Sequence, residues 1–319
     1  MSSNQFNPSD PCSTPSEEND INRGTGFVEE KEWKNPDVAR DPSSYIRYLD
    51  RIFEGMKESG PAKDYKYQVY EMMKIEPGDS IIDVGCGTGD DVYALSKILS
   101  QAGKGGKVVG VDISESMVRE AQIRLNKNLN KNAFNSNLSD ADHLKIEFRT
   151  GDAQNLCEIP SNSFHICRSD RSLQHMPSPK AAIDEMVRIL KPTVGRIIVS
   201  EPDWETLVID SPSYPHITRK IINHFTDTRV NGWMGRQLPR LFRNAGLTNI
   251  KVIPQTAPMN NLPFIRSAYL DKAKRIALEA GVVNEEEAAA WMSELDDLHE
   301  DGQFFSSLTI YCVRGIKSS

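Results

Sequence analysis

The sequence predicts an α/β protein with a doubly wound sheet, and three observations lead to that class. A short apolar strand, a glycine-rich turn and an amphipathic helix follow one another over residues 80–100, SIIDVGCGTGDDVYALSKILS. Apolar strand segments then alternate with helical segments as far as residue 200, which is typical of parallel sheets with crossover helices. Polar residues follow successive strands, at the edge where such sheets bind ligands.

The glycine turn favours a nucleoside ligand without phosphates. Gly85, Gly87 and Gly89 stand at alternate positions, so the backbone can adopt positive φ and approach a ligand closely. The dinucleotide fingerprint needs a glycine at position 90, where Asp90 stands, and no Gly-Lys-Ser/Thr phosphate loop follows. An acid at the helix entrance also repels a pyrophosphate, because it adds negative charge beside negative charge.

Carboxylates recur where the later strands end. Further strands are predicted over residues 107–113, 144–150, 163–169, 195–200, 247–254 and 304–313. Asp112 lies at the end of the second strand, where a carboxylate can accept both hydroxyls of a ribose. Asp152 follows the third strand in the sequence Gly-Asp-Ala. The turn, Asp112 and Asp152 are therefore expected to lie at one edge of the sheet.

Composition argues against several classes of function. The formal net charge is −7 without a clustered basic surface, which disfavours a nucleic-acid partner. No apolar run reaches the roughly 20 residues that cross a bilayer, and no signal peptide is visible, so a cytoplasmic protein is expected. Five cysteines without a C-x-x-C pair predict neither a disulfide framework nor a metal site, and burial as small hydrophobes is expected.

Two motifs resemble those of a known family. D-V-G-C-G-T-G after an apolar strand resembles the first motif of the class I methyltransferases that use S-adenosylmethionine, a cofactor with no phosphate. The pattern L-Q-H-M-P-x-P, then L-K-P, then G-R, over residues 173–196, is similar to the small-molecule branch, known as methyltransferase type 11 or ubiquinone-methyltransferase-like. The resemblance runs from about residue 37 to residue 207, and more loosely to the C-terminus.

That resemblance implies a fold, a cofactor and a set of contacts. The fold is a seven-stranded Rossmann-like sheet, mostly parallel with an antiparallel last strand, and the cofactor is S-adenosylmethionine. In this family the acid of Gly-Asp-Ala, here Asp152, accepts a hydrogen bond from the adenine amino group. The predicted cofactor-binding residues are Asp83, Gly85, Cys86, Gly87, Thr88, Gly89, Asp112, Ile113, Met117, Asp152, Ala153, Arg168 and Ser169. For Met117 a place in the core is an equal alternative.

The resemblance also suggests a division of the chain. Residues 1–32 are expected to be a disordered tail, because they have few large apolar residues. Residues 33–76 are expected to form a helical lid, and residues 77–319 the methyltransferase domain, with helical insertions near 212–230 and 263–300. The asparagine-rich residues 126–142 are predicted to be an exposed loop.

Several side chains are candidates for the acceptor side of the site. His175 is predicted as a catalytic base because it follows the fourth strand, with hydrogen bonding within its loop as the alternative. The predicted substrate-binding residues are Tyr45, Tyr48, Asp170, Arg171, Asp203, Trp204 and His224. Core packing of the two tyrosines, and an ion pair between Asp170 and Arg171, are the structural alternatives for those residues.

Methyl transfer to a small, moderately hydrophobic acceptor in secondary metabolism is the resulting expectation. The atom methylated can be O, N or C, and a general base is needed only for an acceptor proton of high pKa. An NAD(P)-dependent oxidoreductase and a non-catalytic binding protein on the same fold are the alternatives. Apolar stripes on the terminal helices would serve either the lid or a homo-oligomer.

Overall fold

The computed structural model describes residues 61–103, 105–133, 145–229 and 231–319, together with Ile46 and Asp50. Among these residues, the side chains of 61–64 and 129–133 are not described. The predicted tail, most of the predicted lid and residues 134–144 fall outside this part of the chain. Tyr45 and Tyr48 also lie outside it.

The strands form one mixed sheet whose order confirms the predicted fold class. Within the described residues it contains β1 (Ser80–Val84), β2 (Lys107–Asp112), β3 (Lys145–Thr150), β4 (Ile166–Asp170), β5 (Arg196–Ile209), β6 (Leu247–Pro258) and β7 (Ser306–Lys317). They lie in the order β3-β2-β1-β4-β5-β7-β6. The first five pair in parallel, whereas β7 runs antiparallel to both β5 and β6. The order reverses beside β1, so ligands are expected at the carboxyl ends of β1, β2 and β4.

Helices cover both faces of this sheet and one end of it. They are α1 (Pro61–Met73), α2 (Asp90–Ala102), α3 (Glu115–Ala133), α4 (Pro179–Ile189), α5 (Pro215–Asp227), α6 (Met234–Asn244), α7 (Leu262–Ile265), α8 (Asp271–Glu279) and α9 (Glu285–Glu300). A 3-10 turn, Leu173–His175, follows β4, and a π-helical turn, Arg266–Leu270, joins α7 to α8. Apolar residues of α1 and α2 pack on one face, and those of α4 and α6 on the other.

A further apolar cluster lies where β5 and β7 extend beyond their neighbours. It joins the end of β5 to α5, α8 and α9, with Phe225 and Trp291 among its buried rings. Because Trp291 is fully buried and donates its indole N–H to Thr218, this cluster is a packed core. It places the helical insertions against the carboxyl half of β5.

The fifth strand is longer than predicted. It was expected to end at Ser200, but β5 continues to Ile209, so the polar residues after Ser200 lie within the strand. The antiparallel partner β7 supplies backbone hydrogen bonds along this extension, with a register shift between Asp203 and Val208. Sequence periodicity does not show a pairing partner more than 100 residues away. In the same way α3 continues to Ala133, inside the segment predicted as an exposed loop.

The cysteines are mostly small core residues, as predicted. Cys86, Cys167 and Cys312 are free and buried, and burial raises the pKa of each thiol. Cys157 is half-buried and disulfide-bonded, so it departs from the predicted burial as a free small hydrophobe. No helix in the described ranges is both long enough and apolar enough to cross a membrane.

Candidate active site

The glycine turn is drawn onto the neighbouring strand β2. The backbone N–H groups of Gly85 and Cys86 both donate to the carbonyl of Val111, at 2.7 and 3.0 Å. Gly85, Gly87 and Gly89 all adopt positive φ, at 78°, 51° and 80°. A side chain is disfavoured at each of these positions, as the sequence predicted.

The three glycines are needed for different reasons. A Cβ on Gly85 would lie 2.3 Å from Ser172 Oγ, and one on Gly89 would lie 2.7 Å from Phe148 Cζ. Around Gly87, by contrast, such an atom would meet nothing within 4 Å. The outer glycines therefore allow close packing of the protein against itself, whereas Gly87 borders open space.

Asp112 links the glycine turn to the loop after β3. Its Oδ2 accepts the backbone N–H of Gly87 at 2.8 Å, and its Oδ1 accepts that of Ser114 at 3.0 Å. Its backbone carbonyl accepts the N–H of Gly151 at 2.9 Å, directly before Asp152. The turn, Asp112 and Asp152 thus share one edge of the sheet.

The side chains at this edge are only partly covered. Asp112 and Asp152 are half-buried, and the apolar side chain of Ile113 is 43% exposed. Asp152 Oδ1 accepts the backbone N–H of Gln154 at 2.8 Å, which fixes its carboxylate in a tight turn. Other members of the predicted cofactor set are buried, namely Cys86, Thr88, Met117 and Ala153. Met117 is 2% exposed, which favours the core role for this residue.

A buried arginine binds three carboxylates beneath the turn. Arg168 is 2% exposed and donates to Asp83 at 2.8 Å, Asp91 at 2.9 Å and Asp170 at 2.8 Å. Burial raises the pKa of Asp83 to about 6, although Arg168 opposes the change. Burial also acts on Asp91, but Arg168 and Lys66 outweigh it and hold the pKa of that carboxyl below its usual range. Two predicted cofactor residues, Asp83 and Arg168, therefore form an ion pair with each other.

Helix α1 is anchored to the same group of acids. The hydroxyl of Tyr65 donates to Asp170 Oδ1 at 2.6 Å. Lys66 Nζ and the hydroxyl of Tyr70 each lie 2.6 Å from Asp91 Oδ1. Charge-assisted hydrogen bonds of this length are strong, so α1 is held against the first turn of α2.

The loop after β4 is strained at one residue and shaped by ion pairs. Arg171 has a φ of 56°, which is uncommon for a residue with a side chain. Its Nε lies 3.2 Å from Asp170 Oδ1, and its backbone N–H donates to the carbonyl of Ser200 at 2.8 Å. These contacts support the structural alternative for Asp170 and Arg171, in which the two residues form an ion pair that fixes the loop.

Glu201 holds the 3-10 turn that follows this loop. Its side chain is fully buried, and Oε1 accepts the backbone N–H of Leu173 at 2.6 Å. Among the described residues Oε2 has no hydrogen-bond partner. Burial raises the pKa of Glu201 to about 8. The sequence prediction missed this residue, although an acid at a predicted strand end is the signal that identified Asp112.

His175 lies at the end of that turn in a positively charged environment. Burial is the main effect that lowers the pKa of His175 to about 3, and the charges of Arg229 and Lys272 lower it further. The imidazole is therefore neutral near pH 7. A base with so low a pKa accepts a proton poorly at that pH, so the structure favours a hydrogen-bonding role for His175.

Gln174 connects His175 to an aromatic cluster. Its Oε1 accepts the indole N–H of Trp204 at 2.8 Å and the Nη2 of Arg229 at 3.2 Å. The Trp204 ring meets Phe225 and Tyr269 edge-on, with centroid distances of 5.3 and 5.4 Å. Of the predicted substrate-binding residues, Trp204 donates a hydrogen bond to Gln174, the residue that precedes His175 in the chain.

Two further predicted substrate residues lie elsewhere in the network. Asp203 is fully buried and forms a bidentate ion pair with Arg236, which occupies both of its carboxylate oxygens. His224 is half-buried on α5, one position before Phe225. Within the described ranges, no three His, Cys, Asp or Glu side chains are grouped so that they could hold a metal ion.

Sequence comparison connects this geometry to known proteins. The profile of a methyltransferase domain family matches residues 75–246. The chain is 32% identical over 289 residues to an uncharacterized 37.1 kDa protein in transposon TN4556 of Streptomyces fradiae. The aligned region covers 86% of this chain and 76% of that protein. It is 28% identical over 204 residues to a demethylmenaquinone methyltransferase of Staphylococcus saprophyticus, covering 60% and 79% respectively.

Solved structures share the fold. The YcgJ protein of Bacillus subtilis has a TM-score of 0.53 and 20% identity, over 80% of this chain and 99% of that one. A putative methyltransferase of Bacillus halodurans C-125 has a TM-score of 0.50 and 16% identity, over 79% and 98%. The profile covers more than half of the chain. The chain therefore belongs to the methyltransferase domain family and is an S-adenosylmethionine-dependent methyltransferase.

Proposed function

We propose that this methyltransferase acts on a small, moderately hydrophobic acceptor bound between the glycine turn and the helical insertions. The observation that carries the proposal is the half-buried ring of Trp204, which packs on the buried rings of Phe225 and Tyr269 and which Gln174 joins to the loop after β4. Apolar walls with a few polar groups are typical of small-molecule sites. Secondary metabolism is the proposed setting, because the sequence resembles the small-molecule branch of the family.

The residues at the carboxyl edge of the sheet fit S-adenosylmethionine. Open space lies above Gly87, whose backbone N–H donates to the half-buried carboxylate of Asp112. Half-buried Asp152 lies on the same edge of the sheet. Ile113 adds an exposed apolar surface next to Asp112. Free ribose hydroxyls, an adenine amino group and an apolar ring face match these three kinds of side chain. When bound there, the cofactor supplies a methyl group that its sulfonium already activates.

The start of α2 agrees with a ligand that has no phosphates. Its first turn contains Asp90 and Asp91, and its N-cap residue Gly89 has no side chain to add. Two carboxylates beside a helix N-terminus occupy the place where a pyrophosphate would bind. Membership of the methyltransferase family argues against the alternative of an NAD(P)-dependent oxidoreductase. The negative charge of Asp90 and Asp91 also disfavours a dinucleotide at this helix.

Positioning is the main task left to the protein. The neutral imidazole of His175 would orient polar atoms of the acceptor, and the amide of buried Gln174 holds Trp204 in place. Trp204 would exclude water from its apolar part. His175 is proposed as an orienting group for the acceptor.

We also propose that the N-terminal helices close over this site. The contacts of Tyr65, Lys66 and Tyr70 hold α1 against the acids beside the glycine turn. Residues 33–76 are the proposed lid. The insertion helices α5, α8 and α9 are the proposed wall on the acceptor side.

Transfer of a labelled methyl group tests the proposed function. The full-length protein is incubated with methyl-labelled S-adenosylmethionine and a small-molecule extract, and the low-mass products are separated and identified by mass spectrometry. Label is expected in one or a few small products, and it is expected to be lost with Asp112→Ala. Asp210→Ala, at an exposed position, is the matched control and should leave the transfer unchanged. Label in protein alone, or no transfer at all, would contradict the proposal.

A further inference from the structure

We propose that the face of the sheet beside the end of α1 holds a binding site for a phosphate group, formed by Arg314 and Lys251. The site lies towards the edge where β1 and β5 begin, opposite to the edge with the glycine turn. It is therefore independent of the proposed function. Among the described residues, two observations support it, namely a buried arginine without a counter-charge and a second cation placed directly beside it by the strand register.

Arg314 on β7 is a buried cation. Its side chain belongs to a residue that is 5% exposed, and its Nε is buried without a hydrogen-bond partner. Within the described ranges its guanidinium forms neither an ion pair nor a hydrogen bond. Removing a charge from water costs free energy that a partner normally restores. An unpaired guanidinium at this position therefore favours an anionic ligand.

Strand register places a second cation next to Arg314. Arg314 pairs with Ile198 on β5 and with Lys251 on β6. Residues paired in this way have their side chains on the same face of a sheet, so Lys251 and Arg314 are neighbours on that face. Like charges directly opposite each other destabilise a sheet, and an anion bound by both would offset this effect.

A third cation on this face already has its partner. Arg196 lies two positions before Ile198 on β5, so its side chain is on the same face as that of Arg314. Its Nη2 donates to Asp79 Oδ2 at 2.8 Å, and the same oxygen accepts the backbone N–H of Glu76 at 3.0 Å. Asp79 thus binds Arg196 and the turn before β1. The three cations and this carboxylate together carry an excess of two positive charges.

The face is apolar on one side of Arg314 and open on the other. Ile198 and Cys312, its neighbours on the same face, belong to the apolar cluster that includes residues of α1, and Ile75 packs against that cluster. By contrast, β6 is the last strand of the sheet, and Lys251 on it is exposed. The site is therefore open to small ligands from the edge that β6 forms.

The excess of charge favours a phosphate group over a carboxylate. A phosphate monoester has a charge of about −1.5 to −2 near pH 7, whereas a carboxylate has a single negative charge. The guanidinium offers a planar pair of N–H groups that matches two phosphate oxygens, and a lysine ammonium binds a third oxygen as a point charge. The ligand class is therefore a small phosphate, either inorganic or esterified.

Thermal unfolding of the full-length protein in different anions tests the proposal. Melting temperatures are compared in the sodium salts of chloride, acetate, phosphate and glycerol 3-phosphate, at equal ionic strength and neutral pH. In the wild type, phosphate or its ester should raise the melting temperature by about 3 °C or more above that in chloride, whereas acetate should not. The larger of the two shifts identifies the source of the phosphate group. In Arg314→Met and in Lys251→Gln the shift should fall to about 1 °C or less, as for the general effect of phosphate on folded proteins.

Controls separate binding at this site from other effects of the salts. Arg240→Met is the matched control, because Arg240 is an exposed arginine on α6, and it should respond to phosphate as the wild type does. In chloride, Arg314→Met should melt at the temperature of the wild type or higher, because it removes a buried charge that has no described partner. A lower melting temperature in chloride would show that the protein itself stabilises the guanidinium, and would overturn the proposal. A phosphate response that is absent from the wild type, matched by acetate or retained in either variant would overturn it as well.

Discussion

Replacing Glu201 with glutamine should change how the stability of the protein depends on pH. Glu201 is fully buried, its Oε1 accepts the N–H of Leu173, and burial raises its pKa from 4.5 to about 8. Glutamine keeps an acceptor oxygen of the same size but cannot ionise. The variant therefore keeps an acceptor for the hydrogen bond to the 3-10 turn and removes the titration. Its amide N–H groups replace Oε2, which has no partner among the described residues, and the cost of burying them does not depend on pH.

The size of the effect follows from the pKa of Glu201. Because the pKa is raised in the folded state, the stabilising effect is complete below pH 4.5 and is lost as the pH rises through about 8. At about 1.4 kcal/mol per pKa unit, the whole change is roughly 5 kcal/mol. Between about pH 5 and about pH 7 the free energy of unfolding should fall by roughly 2 to 3 kcal/mol more in the wild type than in Glu201→Gln.

Urea unfolding followed by tryptophan fluorescence measures this difference. The free energies of unfolding of both proteins are compared at several pH values, so that groups common to both cancel. Glu158→Gln, at an exposed position, is the control and should follow the wild type. A difference between wild type and Glu201→Gln that stays constant with pH would show that the buried carboxyl does not titrate as described.

Substitutions at Arg168, at Tyr65 and in the glycine turn give three further tests of this network. Arg168→Met leaves three carboxylates, of which that of Asp83 is buried, without their shared cation, and should lower the free energy of unfolding by about 3 to 5 kcal/mol in urea titrations. Tyr65→Phe should make α1 more sensitive to proteolysis, at a cost of about 1.5 to 3 kcal/mol, whereas Tyr67→Phe at a 64% exposed position should not. Gly85→Ala should reduce the melting temperature much more than Gly87→Ala, because a Cβ at position 85 would overlap the side chain of Ser172. Gly87→Ala should mainly weaken the binding of S-adenosylmethionine, as measured by calorimetry. Equal losses of stability for the two glycine variants would contradict the separate roles assigned to them.

The sequence was sufficient for the features that depend on local order. The turn over residues 85–89 and the place of Asp112 follow from residue types next to one another in the chain, and the structure puts them at one edge. The place of Asp152 could be predicted in the same way, because Asp152 follows β3 and the end of β3 lies beside the end of its parallel neighbour β2. Parallel pairing makes the order of strand ends predictable once the strands are recognised.

Features that depend on distant partners were not predictable in this way. Arg168 on β4 was expected to face the cofactor, but it binds acids from β1 and α2 that lie more than 70 residues earlier. Asp203 was expected to face the acceptor, but β5 continues along β7 and commits its carboxylate to Arg236. For Glu201 the sequence showed an acid at the end of a predicted strand. Only the structure shows that this acid is buried and accepts the backbone N–H of Leu173. Charge pairs and burial are set by packing, which a single sequence does not show.

The most direct test of the site is the affinity for S-adenosylmethionine of the wild type and of variants at Asp112. Calorimetry should detect binding of S-adenosylmethionine to the wild type and no binding of NAD. Asp112→Ala should bind S-adenosylmethionine at least about tenfold more weakly, as expected for loss of charge-assisted hydrogen bonds. Asp112→Asn keeps one acceptor oxygen and separates loss of charge from disturbance of the turn. An unchanged affinity in Asp112→Ala, or no binding of S-adenosylmethionine to the wild type, would contradict the account.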